Sequence, residues 1–134
     1  MSIEVRGVRT LLEVFDMPAS VRFYRDVLGF TVVETSGGDS EQFDWGLLRL
    51  GGAEVMLNTA YEQDRRPPAP DAARMQAHRD TCLYFECPDV DAAYRHLKAQ
   101  GVVVDAPAIA PYGMKQLYVS DPDGFQLCFQ WPAA

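Results

Sequence analysis

Metal and nucleophile chemistry draws on a short list of side chains, and this chain is sparing with them. It has two histidines, His78 and His96, and three cysteines, Cys82, Cys87 and Cys128. A catalytic metal held by several imidazoles needs histidines that converge on one point. His78 falls in a polar, proline-rich stretch and His96 in a helical pattern, so this pair does not supply such a set. No Gly-x-Ser-x-Gly segment occurs and no glycine-rich loop precedes a helix, which removes the serine-hydrolase elbow and the phosphate cradle. Gly51-Gly52 lies between two apolar runs and reads as a hairpin turn, because both residues tolerate positive φ. Glu13 and Glu86, one in each half, read either as solvated strand residues or as polar handles at the rim of a site. An acid–base role would need a separation that sequence spacing does not give.

The elements that position these groups belong to one small globular chain. It has 134 residues, 48% of them hydrophobic and 23% charged, a mixture typical of soluble domains. Twelve basic residues against nineteen acidic ones leave a net charge of −7, which repels polyanions and acidic membrane faces. Arg65-Arg66 is the lone basic doublet, so no nucleic-acid partner is expected. Residues 1–7 carry Glu4 and Arg6 and no apolar run of the signal-peptide kind, and no stretch is long enough to span a bilayer. With an odd number of cysteines, a disulfide framework is not expected, and the expected location is the cytoplasm.

Residues 8–15 alternate loosely and read as a strand. Asp16 is a helix cap with Pro18 in the first turn. Ser20, Phe23, Tyr24, Val27 and Leu28 then form a stripe at helical spacing, ended by Gly29. Strands are expected at 30–35, 43–50 and 53–58, with a loop at 36–40. Residues 59–80, with Pro67, Pro68 and Pro70, read as a linker containing one short helix around 72–78. The pattern restarts with a strand at 81–87, the cap Asp89 and a helix striped by Val90, Ala93, Tyr94 and Leu97 that stops at Gly101. Further strands are expected at 102–105, 115–120 and 125–130, the last two joined by a type I turn over Asp121-Pro122-Asp123-Gly124. A shift of 73 positions brings Glu13 onto Glu86, Asp16 onto Asp89, Ala19 onto Ala92 and Arg22 onto Arg95. Four identities in ten positions, with the same order of elements, indicate an internal duplication.

Three segments carry a family resemblance: Leu12-Glu13-Val14-Phe15-Asp16, Phe23-Tyr24-Arg25-Asp26-Val27-Leu28-Gly29-Phe30, and Tyr118-Val119-Ser120-Asp121-Pro122-Asp123-Gly124-Phe125. They resemble the vicinal oxygen chelate superfamily, which includes glyoxalase I, bleomycin-resistance proteins and extradiol dioxygenases. The resemblance extends over nearly the whole chain. It implies an α+β fold of two tandem βαβββ modules forming a curled mixed β-sheet cup with helices outside. One domain is expected over 1–134, with module one at 8–58, a linker at 59–80 and module two at 81–130. A homodimer is implied as well, with modules exchanged between chains in some members.

The resemblance also implies where a metal would sit. Enzymes of the superfamily hold a divalent ion at four positions, one on each of four cup strands. The matching positions here are Arg9 and Cys82, each seven residues before a helix-capping aspartate, and Met56 and Cys128 in the last strand of each half. Asn58 follows Met56 on the same face. The family pattern asks for His, Gln or Glu, and none of the four agrees. Arg9 is a permanent cation that repels a metal. No metal and no cofactor is therefore expected.

Period-two alternation sets Arg9, Leu11 and Glu13, Glu54, Met56 and Asn58, Cys82, Tyr84 and Glu86, and Gln126, Cys128 and Gln130 on one sheet surface. Leu12, Val14, Leu83, Phe85, Leu127 and Phe129 take the other, suited to packing under helices. Arg9 reads as a strand-start surface residue or as a cation facing an anionic ligand. Trp45, Tyr84, Tyr112 and Tyr118 read as core aromatics or as rings stacking on a flat ligand. Met56 reads as core filler. Tyr61 and Arg65-Arg66 read as a flap over the cup or as solvated linker. Cys82 and Cys128 read as two small residues filling the place of lost ligands, or as a soft-metal or redox pair.

These readings lead to a metal-free protein of the bleomycin-resistance type that binds a small organic molecule in its cup. The candidate ligand contacts are Arg9, Glu13, Trp45, Met56, Asn58, Cys82, Tyr84, Tyr112, Tyr118, Cys128 and Gln130. The alternatives are a glyoxalase-type lyase, isomerase or dioxygenase with unusual metal ligands, and a structural partner acting through its dimer surface. The acidic chain suits a cationic ligand and Arg9 an anionic one, so the ligand's charge stays open.

Overall fold

The computed structural model describes residues 1–38, 41–61 and 65–134, so the expected loop at 36–40 and linker at 59–80 lie partly outside the described residues. The chain divides into two compact units, Met1–Pro68 and Ala69–Ala134. Among the described residues no helix is long and apolar enough to cross a membrane.

The first unit runs β1 (Thr10–Val14), α1 (Met17–Val21), β2 (Thr31–Thr35), β3 (Trp45–Leu50) and β4 (Ala53–Thr59), with the sheet order β1-β4-β3-β2. The Asp16 carboxylate accepts the Ala19 N–H at 3.1 Å, satisfying a helix-end donor, and Pro18 stands in the first turn. Helix α1 continues without a break into a wider, π-type segment (Arg22–Leu28). That segment corrects the expected stripe. Wider winding turns less per residue, so three-residue steps drift off the buried face. Met17, Ser20, Val21, Tyr24 and Leu28 are buried, while Phe23 and Val27 are only half-buried. Leu12, Val14, Leu48, Val55 and Leu57 of the sheet are buried too, each contributing about 1.5–3 kcal/mol through loss of apolar surface. The expected strand at 8–15 is shorter than its pattern, and Arg9 precedes the ladder. At the β3–β4 hairpin Leu50 pairs with Ala53, and of the two turn glycines Gly51 alone takes positive φ (55°).

The second unit repeats this plan behind a short helix. It contains α2 (Ala72–Ala77), β5 (Cys82–Glu86), α3 (Val90–Ala99), β6 (Ala108–Ile109), β7 (Met114–Ser120) and β8 (Gln126–Pro132), with the order β5-β8-β7-β6. The duplication extends to the ladders. Thr10 pairs with Val55 in the first parallel pair and Leu83 with Leu127 in the second, offsets of 83 − 10 = 73 and 127 − 55 = 72. Each unit is thus a βαβββ module of an α+β fold. Asp89 caps α3 by accepting the Ala92 N–H at 2.9 Å.

The strand expected at 102–105 does not form. Helix α3 ends with the Gly101 N–H on the Lys98 carbonyl and the Val102 N–H on the Leu97 carbonyl, both at 3.0 Å, with Gly101 at φ 81°. This paired closure of a helix C-terminus takes the first backbone donor of the valine run. Val103 is left 97% exposed, because β-branching favours a strand only where a neighbour exists to pair with it. The ladder begins instead at β6, where Ala108 and Ile109 face Gln116 and Lys115. Pro107 and Pro111, which lack an N–H, flank it.

The turn between β7 and β8 is held from two sides. Asp121 accepts the N–H groups of Asp123 and Phe125 on Oδ1, each at 2.9 Å, and its carbonyl accepts the Gly124 N–H at 3.1 Å. Helix α2 lies against this turn. Arg74 donates to the Asp123 carboxylate at 3.0 Å, His78 Nδ1 lies 2.7 Å from the Asp123 carbonyl, and the His78 ring stacks on Phe125 with centroids 3.9 Å apart. A carbonyl only accepts, so Nδ1 carries the proton of that bond. His78 therefore ties the helix to the turn.

Candidate functional site

In both units one sheet face is apolar and covered, while the other carries polar and aromatic side chains. Direct cross-strand partners share a face, so the ladders define the second surface row by row. In the first unit, Glu13, Asn58 and Trp45 form one row, Leu11, Met56 and Leu47 the next, and Glu54 with Arg49 the third. The Asn58 amide donates to both oxygens of Glu13 at 3.2 Å. Arg9 and Arg49 approach the same oxygen of Glu54, at 3.4 and 3.2 Å. Arg9 is exposed and its charge is shared with that carboxylate. Met56 is half-buried between Leu11, which is exposed, and Leu47, which is buried. Phe15 packs edge-on against Tyr61, and the Arg66 guanidinium stands 5.3 Å over the Phe15 ring. Tyr61 and Arg66, two of the three residues read as a flap or as solvated linker, thus contact the residue that follows the first strand.

The second unit brings its candidates closer together. Glu86, Gln130 and Gln116 form one row, Tyr84, Cys128 and Tyr118 the central one, and Cys82, Gln126 and Ser120 the third. The Tyr84 and Tyr118 hydroxyls are 3.2 Å apart, and Tyr118 donates to Gln116 Oε1 at 3.4 Å. The Gln116 amide nitrogen donates to Gln130 Oε1 at 2.9 Å and to the Tyr112 hydroxyl at 2.7 Å. Tyr84 is 52% and Tyr118 46% exposed, while Cys128 lies buried in the row between them. The opposite face holds Leu117, Val119, Leu127 and Phe129, with Phe85 stacked on Phe129 at 4.9 Å.

Gln116 is the hub of this network and was not among the residues singled out from the sequence. The signal was present: Gln116 stands two positions before Tyr118, so period-two alternation puts it on the same face. Its importance comes from three partners on β7, β8 and the 110–113 turn, which no local pattern shows.

The electrostatics of the face suppress ionisation. The bond to Tyr84, followed by burial, pushes the Tyr118 phenol well above its ordinary value. Burial raises the Cys82 and Cys128 thiols, against partial relief from the adjacent Tyr84 and Tyr118 hydroxyls. Thiols held above their usual range stay protonated at neutral pH, and the thiolate is the form that binds metals and attacks electrophiles. Maleimide labelling of the native protein at pH 7 is therefore expected to run at least about tenfold slower at Cys82 and Cys128 than at a free thiol. Rapid stoichiometric labelling of both would contradict that burial.

The metal positions implied by the family do not fit a divalent ion. They present a guanidinium already beside Glu54, a thioether, and two thiols that burial keeps protonated. Among the described residues no three His, Cys, Asp or Glu side chains come together as a metal-holding group.

Comparison with known proteins agrees with this architecture. YaeR of Escherichia coli (strain K12), an uncharacterized protein, is 31% identical over 114 residues, 84% of each chain. TnmS3, an antibiotic binding protein from Streptomyces sp. CB03234, superposes with a TM-score of 0.69 at 26% identity, covering 98% of this chain and 99% of its own. The bleomycin resistance determinant encoded on transposon Tn5 gives a TM-score of 0.71 at 20% identity over 97% of this chain and 100% of its own, a likeness of fold. The family model for the glyoxalase/bleomycin resistance protein/dioxygenase superfamily matches residues 8–129. The chain belongs to that superfamily.

Proposed function

We propose that this protein binds a small organic molecule without a metal, in the manner of the antibiotic-binding members of its superfamily, and that it acts as a cytoplasmic homodimer. The observation that carries the reading is the second unit's exposed face, where Tyr84 and Tyr118 join Gln116, Gln130 and Tyr112 in one hydrogen-bonded net. Half-exposed phenols held in fixed positions offer contact area and hydrogen bonds with little entropy left to lose. Tyr118 and the two thiols on this face are poor acid–base catalysts. General acids and bases work best with values near the operating pH, and the Tyr118 phenol and both thiols are displaced upward, away from neutrality. Antibiotic binding is what TnmS3 is described as doing, which makes bleomycin and uncharged polycyclic aromatics sensible first probes.

A thermal-shift screen tests the reading. A ligand that binds only the folded state stabilises it by about 2.7 kcal/mol at a hundred times its dissociation constant, so a true ligand moves the melting temperature in a dose-dependent way. Metal analysis and sedimentation accompany it. Purified protein is expected without stoichiometric Zn, Ni, Fe or Mn, and as a dimer at micromolar concentration. A retained metal whose chelation abolishes binding or activity would overturn the metal-free assignment and favour the lyase, isomerase or dioxygenase alternative. A monomer would overturn the dimer.

A further inference from the structure

The hydrogen-bond net on the second unit has two open ends. Tyr118 has Gln116 Oε1 at 3.4 Å and the Tyr84 hydroxyl at 3.2 Å within hydrogen-bond reach, and either phenol can supply the proton shared between the two rings. In either sense the Tyr84 oxygen keeps at least one lone pair for an outside donor. At the other end, Gln116 spends its amide nitrogen on Gln130 Oε1 and on the Tyr112 oxygen. Among the described residues the Gln130 amide N–H groups meet no partner, and the Tyr112 hydroxyl keeps a proton to donate. Tyr84 and Tyr112 are exposed and Gln130 is half-buried, so these valences are open to the solvent side. The face thus offers an acceptor at Tyr84 and donors at Gln130 and Tyr112.

Spacing and charge narrow what can use that pattern. Tyr84 pairs with Cys128 across the ladder, and Gln130 stands two residues further along β8, a displacement of about 6.6 Å. That is the scale of a two-ring system laid across the face. Its nine paired positions carry one charge, Glu86, at the edge. An ionic ligand would find no counter-charge in the central row. The first unit differs at equivalent register, with Leu11 where the second has Tyr84, Arg49 where it has Ser120 and Glu54 where it has Gln126.

We propose that the face of β5, β8 and β7 selects an uncharged planar bicyclic or larger ring that carries a hydroxyl or N–H donor on one edge and a carbonyl acceptor on the opposite edge. The donor meets the Tyr84 oxygen, the carbonyl meets the Gln130 amide and the Tyr112 hydroxyl, and Gln116 is the positioning residue, bonded directly to Gln130 and Tyr112 and reaching Tyr84 only through Tyr118. This deepens the binding function proposed above and rests on it.

Three fluorescent or absorbing probes of nearly equal size separate the elements of the proposal at pH 6.5: 7-hydroxycoumarin has both groups, coumarin lacks the donor, and 2-naphthol lacks the carbonyl. Wild type is expected to bind 7-hydroxycoumarin about tenfold tighter than either of the others, the scale of one neutral hydrogen bond. Gln130→Met should abolish the preference over 2-naphthol, and Tyr84→Phe the preference over coumarin, each leaving the other discrimination in place. Equal affinities in wild type, or preferences unchanged in both variants, would overturn the proposal. If all three probes fail while bleomycin or another screened compound raises the melting temperature, the selectivity inference fails and the binding function stands. If no screened compound binds either, both fall.

Discussion

Replacing Arg74 with methionine is expected to lower the unfolding free energy by about 3 kcal/mol, a fall in melting temperature on the order of 10 °C for a chain of this size. Asp123 is 2% exposed, and Arg74 meets its carboxylate at 3.0 Å from a side chain that is itself largely covered. Two opposite charges in such a place gain little net stability together, but removing the arginine takes its counter-charge from a carboxylate held out of water. Methionine keeps the length and apolar stem of arginine, so the loss reports on charge and hydrogen bonding. Arg74→Met/Asp123→Asn should recover part of it, because no buried charge is left unpaired. Hydrogen exchange should locate the damage at α2 and its following turn, residues 72–80, which Arg74 and His78 hold to the Asp121–Gly124 turn. A loss below about 0.5 kcal/mol, the range of an ordinary surface substitution, would show that the ion pair does not anchor the helix.

Gly124→Ala should cost a similar amount by a different route. Gly124 has φ 87°, and a Cβ there would collide with the carbonyl oxygen of Met75 on α2. A non-glycine residue in that backbone region costs about 1–3 kcal/mol, and the collision adds about 1–3 kcal/mol of overpacking unless α2 moves away. Together the two come to about 2–6 kcal/mol. Gly52→Ala is the matched control, since it has open space around its Cβ and no positive φ, and its effect should stay within about 0.5 kcal/mol. Equal melting temperatures for the two variants would contradict the close approach of helix and turn.

Both predictions concern contacts between α2 and the Asp121–Gly124 turn that no local sequence pattern shows. Helix starts at Asp16 and Asp89 are legible because a cap acts within three residues, and the observed bonds to Ala19 and Ala92 have that reach. The Asp121–Gly124 turn is legible for the same reason. Alternation correctly separates Leu12, Val14 and Leu127, all buried, from Leu11, Tyr84 and Glu13, all exposed. Local patterns mislead at the valine run of 102–105, where helix closure claims the backbone first, and at Phe23 and Val27, where the helix widens. They are silent on Arg74–Asp123, a pair 49 residues apart, and on Gln116, whose partners come from other strands and turns. The candidate site was legible as a face and illegible as a network.

Calorimetric titration of the strongest compound from the thermal-shift screen against wild type and Tyr84→Ala/Tyr118→Ala bears most directly on the claim that this face binds a small molecule. Both side chains are about half exposed, so the double variant should melt within a few degrees of wild type. Wild type should bind with a one-to-one stoichiometry per chain. The variant should lose about 1–3 kcal/mol of binding free energy, a weakening of about 5- to 150-fold from two lost aromatic contacts. A folded variant that binds as tightly as wild type would contradict the account.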